Sequence, residues 1–231
     1  MITNLKSVGA MTRVNFIKTT WIAYLVALLS FTSSFVQSFI RYFIAVEDGG
    51  QTSEGNSLII VIIIAAVLIP SVNFYKLMHL NGKKTDFFWA SITNYIVFAA
   101  AIALVNVLLF YTIDKMLKTS VIIYDIIDVF GWSDNGVIFA FLRQFAFYLL
   151  LGVVLHTLTS IQTFWWGWVI DLVIVAIISV FTPIAPLRQL LVDFFNVIIF
   201  NPNPVVHIAV CLSLSAGIYS LNIPILSRKK I

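Results

Sequence analysis

Of the ionisable side chains within long apolar runs, three are candidates for chemistry: Arg143, His156 and Asp171. In hydrocarbon such groups are costly, so they face a neighbouring helix or water and mark proton relays, substrate contacts or packing pairs. Asp171 lies about 10 Å into its run at 1.5 Å per residue. His156 stands at a similar depth in the preceding run, so on antiparallel helices the two can share a proton or a hydrogen bond. The pair reads either as a proton-coupled or substrate-contacting site or as a packing contact, and both readings stay open. Arg143 is close enough to the end of its run to snorkel to the headgroups or to find a local partner. Asn94, Asn106 and Gln144 are expected to bond between helices, or to wet a transport path. No reaction centre emerges. The three histidines, His79, His156 and His207, lie far apart, which argues against a metal site. Cys211 is the single cysteine, so there is no disulfide scaffold. The chain contains no phosphate-cradling GxxxxGKS/T, no HExxH and no GxSxG, and we expect no catalysis by the chain itself.

A second group of residues lies between two runs. Asn81 and Gly82 read as a helix stop and turn. Lys83 and Lys84 follow, then Thr85 or Asp86 as a cap for a helix whose first turn carries Phe87, Phe88 and Trp89. The product is a short basic and aromatic elbow at a membrane surface. Its simplest reading is a positively charged loop with an interfacial aromatic anchor.

The elements that carry these residues follow from composition. Of 231 residues, 61% are hydrophobic and 10% charged, and the mean hydropathy is +1.02. An ordinary soluble domain is about half apolar and a quarter charged, so this chain belongs in a bilayer. Six runs are long enough to cross it: residues 20–44, 57–77, 88–113, 137–158, 164–181 and 205–226. They are apolar on every face, as in Leu58 to Ile69, whereas barrel strands alternate. The expected fold is all-α, a single polytopic domain with six transmembrane helices and no room for a soluble catalytic domain. Pro70 should kink the second helix. Thr182 to Pro186 and Asn201 to Pro204 should bracket a short re-entrant or interfacial helix over residues 187–200, between spans five and six. Residues 4–18 read as a short interfacial helix, with Leu5, Val8, Met11 and Phe16 on one side and Ile17 off it. The first apolar run is too long for a signal-peptide core and lacks a small-residue cleavage site, so it reads as an uncleaved span.

Charge sets the expected orientation. Six spans place both termini on one side. If that side is the cytoplasm, it holds Lys6, Arg13, Lys18, Lys76, Lys83, Lys84, Arg228, Lys229 and Lys230 against the single acid Asp86. Arg41, Lys115, Lys118, Arg143 and Arg188 then fall in the outer half with most of the acids, Glu47 and Asp48 among them. This is the positive-inside pattern. Trp21, Trp89, Trp165, Trp166 and Trp168 all fall near inner ends, where indole is favoured.

In topology and in the elbow, the chain resembles the membrane subunit of type-2 ABC exporters, six-span permeases with cytoplasmic termini. In these proteins a glycine, one or two basic residues, a polar residue and an aromatic pair lie between spans two and three. Gly82, Lys83, Lys84, Asp86, Phe87 and Phe88 occupy that pattern here. The resemblance implies that residues 81–89 form the coupling helix, docking into a separate cytoplasmic ABC ATPase subunit that binds ATP and Mg. It implies a bacterial plasma-membrane permease working with a second copy or a paralogue, and a path lined by spans one, two and five. It also implies export of an amphipathic cargo, peptide before lipid or drug. The chain itself would bind no cofactor and, besides membrane lipid, these are its expected partners; nucleic acid is not one. The loop Ser160 to Thr163 carries no basic residue, so a second ATPase contact there would be uncharged. The alternative is a six-span substrate-capture subunit of an energy-coupled vitamin importer.

Overall fold

The computed structural model describes residues 4–44, 51–115 and 123–230. Glu47, Asp48 and Lys118, counted in the charge balance, lie outside the described residues. Helix α1 (Leu5–Ile44) is 40 residues long, about 60 Å at 1.5 Å per residue. The short interfacial helix expected over residues 4–18 is therefore not separate; it runs unbroken into the first span. No proline interrupts it. Thr12, Thr19, Thr20 and Thr32 turn their hydroxyls back to the carbonyls four residues earlier, at 2.8, 3.0, 2.9 and 2.7 Å, so they satisfy themselves within the helix. Its buried stripe is Met11, Asn15, Thr19 and Val26, at the spacing of one helix face. Leu5 and Phe16 lie outside it.

The second rod, Glu54–His79, is built from α2 (Glu54–Ser57), α3 (Ile59–Leu68) and α4 (Phe74–His79). The turn between α3 and α4 is a π-helix over Ile69–Asn73 that contains Pro70. Proline has no N–H and its ring crowds the preceding turn, and the wider turn absorbs both. The rod ends on Asn81, which takes the left-handed conformation (φ 58°). Asn81 N–H donates to Met78 O and Gly82 N–H to Leu77 O, both at 3.0 Å, the double closure of a Schellman motif. A Cβ on Gly82 would stand 2.6 Å from the Leu77 carbonyl. Asparagine thus supplies the positive φ and glycine the close approach.

Helix α5 (Lys84–Leu109) continues through a π turn (Phe110–Asp114). A minimal parallel pairing of β1 (Gln51–Thr52) with β2 (Ile123–Tyr124) ties two loops together, and α6 (Ile126–Val129) follows. Helix α7 (Val137–Ile161) is the centre of the bundle, packed against α3 and α5. Small residues let these backbones approach: Ala65, Ala66, Ala90, Ala99 and Ala103 are all fully buried, and a Cβ on Gly152 would stand 3.2 Å from Ile62.

Helix α8 (Trp165–Phe181) leaves this core. It packs on the end of α7 and on α9 (Ala185–Ile198), and only Gly167 of α8 is buried. The bend between α8 and α9 is 117°. Both expected breaks are present, with α9 starting two residues before the expected 187 because Pro186 fits the first helical turn. Helices α10 (Pro204–Ser220) and α11 (Asn222–Arg228) return along α7. Among the described residues, five helices are long and apolar enough to cross a membrane, or six if the bent pair counts as one span. The protein is all-α, with the composition and helix lengths of a multi-pass membrane protein.

Candidate functional site: the basic elbow and its supports

The elbow is a tight turn of residues 80–83 rather than a free-standing helix. Lys83 is the extended cap residue of α5, without a side-chain cap bond, and Lys84 is the first helical residue. Thr85 and Asp86 therefore lie inside the first turn and not at the cap as expected. Asp86 is buried there, where a carboxylate favours the helix N-terminus. One of its oxygens accepts the Asn4 N–H at 3.2 Å, so the start of α1 is pinned to the elbow.

The aromatic residues divide into two kinds. Phe87 is 0% exposed and meets Phe74 edge-on at 5.1 Å between ring centroids. Phe88 packs against Tyr219 at 4.5 Å, and the Tyr219 hydroxyl donates to the Phe88 carbonyl at 2.6 Å. Phe87 is thus enclosed, and Phe88 is partly covered. The accessible residues are Leu80 (78% exposed), Asn81, Lys83 and Trp89 (52%). Beside them, α5 and α11 enclose an apolar cleft of about 390 Å³ lined by Lys84, Phe88, Trp89, Ile223 and Leu226.

Two lysines tie the elbow to the end of the chain. Lys84 Nζ donates to the Lys229 carbonyl at 2.7 Å and the Ser227 carbonyl at 3.2 Å. Lys229 is 1% exposed, and its Nζ donates to the Pro70 carbonyl at 2.7 Å. It also lies over the rings of Phe74 and Tyr75, at 4.5 and 5.1 Å. Burial pushes its ammonium down to about 8. In the sequence Lys229 is one of three consecutive basic residues, and nothing there marks it as the buried one.

The intramembrane candidates separate. His156 Nδ1 shares a 2.7 Å hydrogen bond with the Tyr95 hydroxyl, and its ring faces Tyr219. Asp171 accepts a hydrogen bond from the Gln162 amide in the turn after α7. The expected His156–Asp171 bond is not formed, because α8 departs from the bundle while His156 points to α5 and α10. Arg143 does not snorkel. It is 1% exposed and donates to the carbonyls of Gly131 (3.2 Å) and Asn201 (2.6 Å) and to Asn135 Oδ1 (3.5 Å). Asn94 and Gln144 bond within their own helices, to Ala90 O and the Tyr148 hydroxyl. Among the described residues, Asn73 bonds to Asn15 (2.9 Å) and Asn222 to Thr157 (2.8 Å) between helices. Asn106 is buried where Gly55 leaves room, since a Cβ on Gly55 would collide with its Oδ1. No group of three or more His, Cys, Asp or Glu side chains among the described residues is arranged for a metal ion.

At the end of the molecule away from the elbow, Asp125 caps α6 by accepting the Ile127 N–H at 2.6 Å. Asn56 brackets it, donating to Tyr124 O and accepting from Ile126 N–H, at 2.9 and 3.1 Å. Burial pushes the Asp125 carboxyl from its ordinary 3.8 up to about 6; the Ile127 and Ser53 hydrogen bonds oppose this and the Asp114 carboxylate adds to it. A carboxyl with a raised folded pKa binds its proton more tightly in the folded state. Stability from this group is thus greatest below pH 4 and is lost as the pH rises to about 6. Asp125→Asn keeps the cap and removes the charge. At pH 7.5 it should stabilise the protein by about 2 kcal/mol, and at pH 4 by nothing. Thermal midpoints of both proteins from pH 4 to 8 check this; parallel curves would refute it.

Compared with known proteins, the chain matches no family model, no curated protein and no solved structure.

Proposed function

We propose that this protein is the membrane subunit of an ATP-driven exporter, with both termini in the cytoplasm and with ATP and Mg bound by a separate ATPase subunit. The observation that carries the reading is the elbow: an exposed, positively charged turn fixed to α1, α4, α5 and the end of the chain. A turn held on four sides transmits force, whereas a loose loop does not. Of the expected docking residues, Asn81, Gly82, Lys83 and Trp89 form the contact surface, joined by Leu80 from outside that segment, and Asp86, Phe87 and Phe88 shape it from beneath. The ATPase pair closes on ATP and biases the spans between two packed states. Two copies, or one copy and a paralogue, enclose the path. The uncovered sides of α1 and α8 supply spans one and five for that contact, and span two completes the lining. The apolar, aromatic composition suits an amphipathic cargo, peptide first. The bent α8–α9 pair acts as span five and a re-entrant or surface helix.

The test is a gentle-detergent pull-down of the tagged protein from its native membranes, with crosslinking. A stoichiometric ATPase carrying a phosphate-binding loop is expected. Lys83→Glu should cut its recovery and its stimulated turnover at least tenfold while insertion is unchanged. Absence of any ATPase after crosslinking would sink the reading.

A further inference from the structure

Lys229 is the one lysine among Ser227 to Lys230 and the elbow whose ammonium is withdrawn from water, while Arg228 and Lys230 on either side are exposed. One carbonyl and two ring faces replace hydration incompletely, so the arrangement is costly to hold. What it touches is the π turn at Pro70, the least regular point of the second rod. Extra-residue turns of this kind can revert to α geometry and shift everything beyond them. Lys84, one residue past the elbow, grips the same tail from the other side by its backbone.

We infer that the tail around Lys229 is a latch joining the elbow to the Pro70 turn: movement of Lys84 draws the Lys229 ammonium off the Pro70 carbonyl and frees the second rod to change its winding. The driver of that movement, an ATPase at the elbow, rests on the function proposed above. The latch itself lies wholly within this chain. A costly seat makes release easy. Withdrawal returns the ammonium to water and opposes only one hydrogen bond and two ring contacts.

Hydrogen exchange of the purified full chain in nanodiscs, without any ATPase, reads the latch alone. Lys229→Met keeps the apolar stem and removes a buried charge, which is seldom a threat to folding. Lys84→Gln leaves Lys229 intact and weakens the grip on its backbone. Both should speed exchange of amides 71–79 by about tenfold, with amides 145–155 of α7 unchanged. Arg228→Gln, a neighbouring charge outside the seat, should change neither region. Unchanged exchange at 71–79 in either variant overturns the latch, and so does an equal rise in α7. If exchange rises as expected but no ATPase is ever captured, the docking function falls and the latch stands.

Discussion

Phe87→Ala should lower the stability of the folded protein by about 2–4 kcal/mol, and the loss should appear in the purified chain alone. In water-soluble cores, deleting a buried phenyl costs about 3–5 kcal/mol, part from transfer out of water and part from the cavity left behind. Lipid is itself apolar, so the transfer part shrinks near a membrane and the cavity part remains. The neighbours set the cavity part. Phe87 is fully enclosed and meets Phe74, which also meets Tyr75 edge-on and lies under the Lys229 ammonium. Removing one ring loosens the floor under the other. Trp89→Ala, two positions on and half exposed, should change stability by less than about 1 kcal/mol. Thermal midpoints in one detergent compare them directly. A larger loss for Trp89→Ala than for Phe87→Ala would mean that the rings are not buried as described. Phe87 variants are accordingly poor probes of docking, and Lys83→Glu is the clean one.

Arg143→Ala should cost about 2–4 kcal/mol, because three neutral acceptors lose the charged donor that holds them. The guanidinium joins two segments that no backbone ladder connects. One is the turn around Gly131 and Asn135, and the other is Asn201 between α9 and α10. Truncation leaves two half-buried carbonyls without this donor, each costing about 1–2 kcal/mol. Nearby, the Trp132 indole donates to the Ile199 carbonyl at 2.9 Å and holds the same two segments together. That second tie should keep Arg143→Ala folded at low temperature. Arg143→Lys should recover less than half of the loss, since one ammonium cannot reproduce a fork reaching both carbonyls. Limited proteolysis between residues 123 and 136 should report the loosened turn first. A variant as resistant and as stable as the parent would show that Arg143 does not carry these segments.

Several features were legible from local sequence alone. The apolar runs of residues 57–77, 88–113 and 137–158 became long helices because in hydrocarbon a backbone must bond to itself. Asn81 and Gly82 stopped a helix, Pro70 disturbed one, and the prolines around α9 bounded it. Each of these outcomes is decided within a few residues, by backbone sterics and by groups that cannot pair elsewhere.

Partner choice was decided by the tertiary structure. His156 and Asp171 stood at matching depths, yet the first found Tyr95 and the second Gln162. Phe87 and Trp89 looked equivalent, and one is enclosed while the other is half bare. Lys229 was indistinguishable from its basic neighbours. The reason is geometric and specific to an apolar solvent. Successive residues on a helix point 100° apart, so a small rotation exchanges one neighbour for another. In a soluble helix the polar face fixes that rotation from sequence. Here lipid and protein interior are equally apolar, so most side chains do not record which way they face. Sequence therefore determined what this chain dissolves in and where its helices start and stop, and only packing determined which polar groups meet.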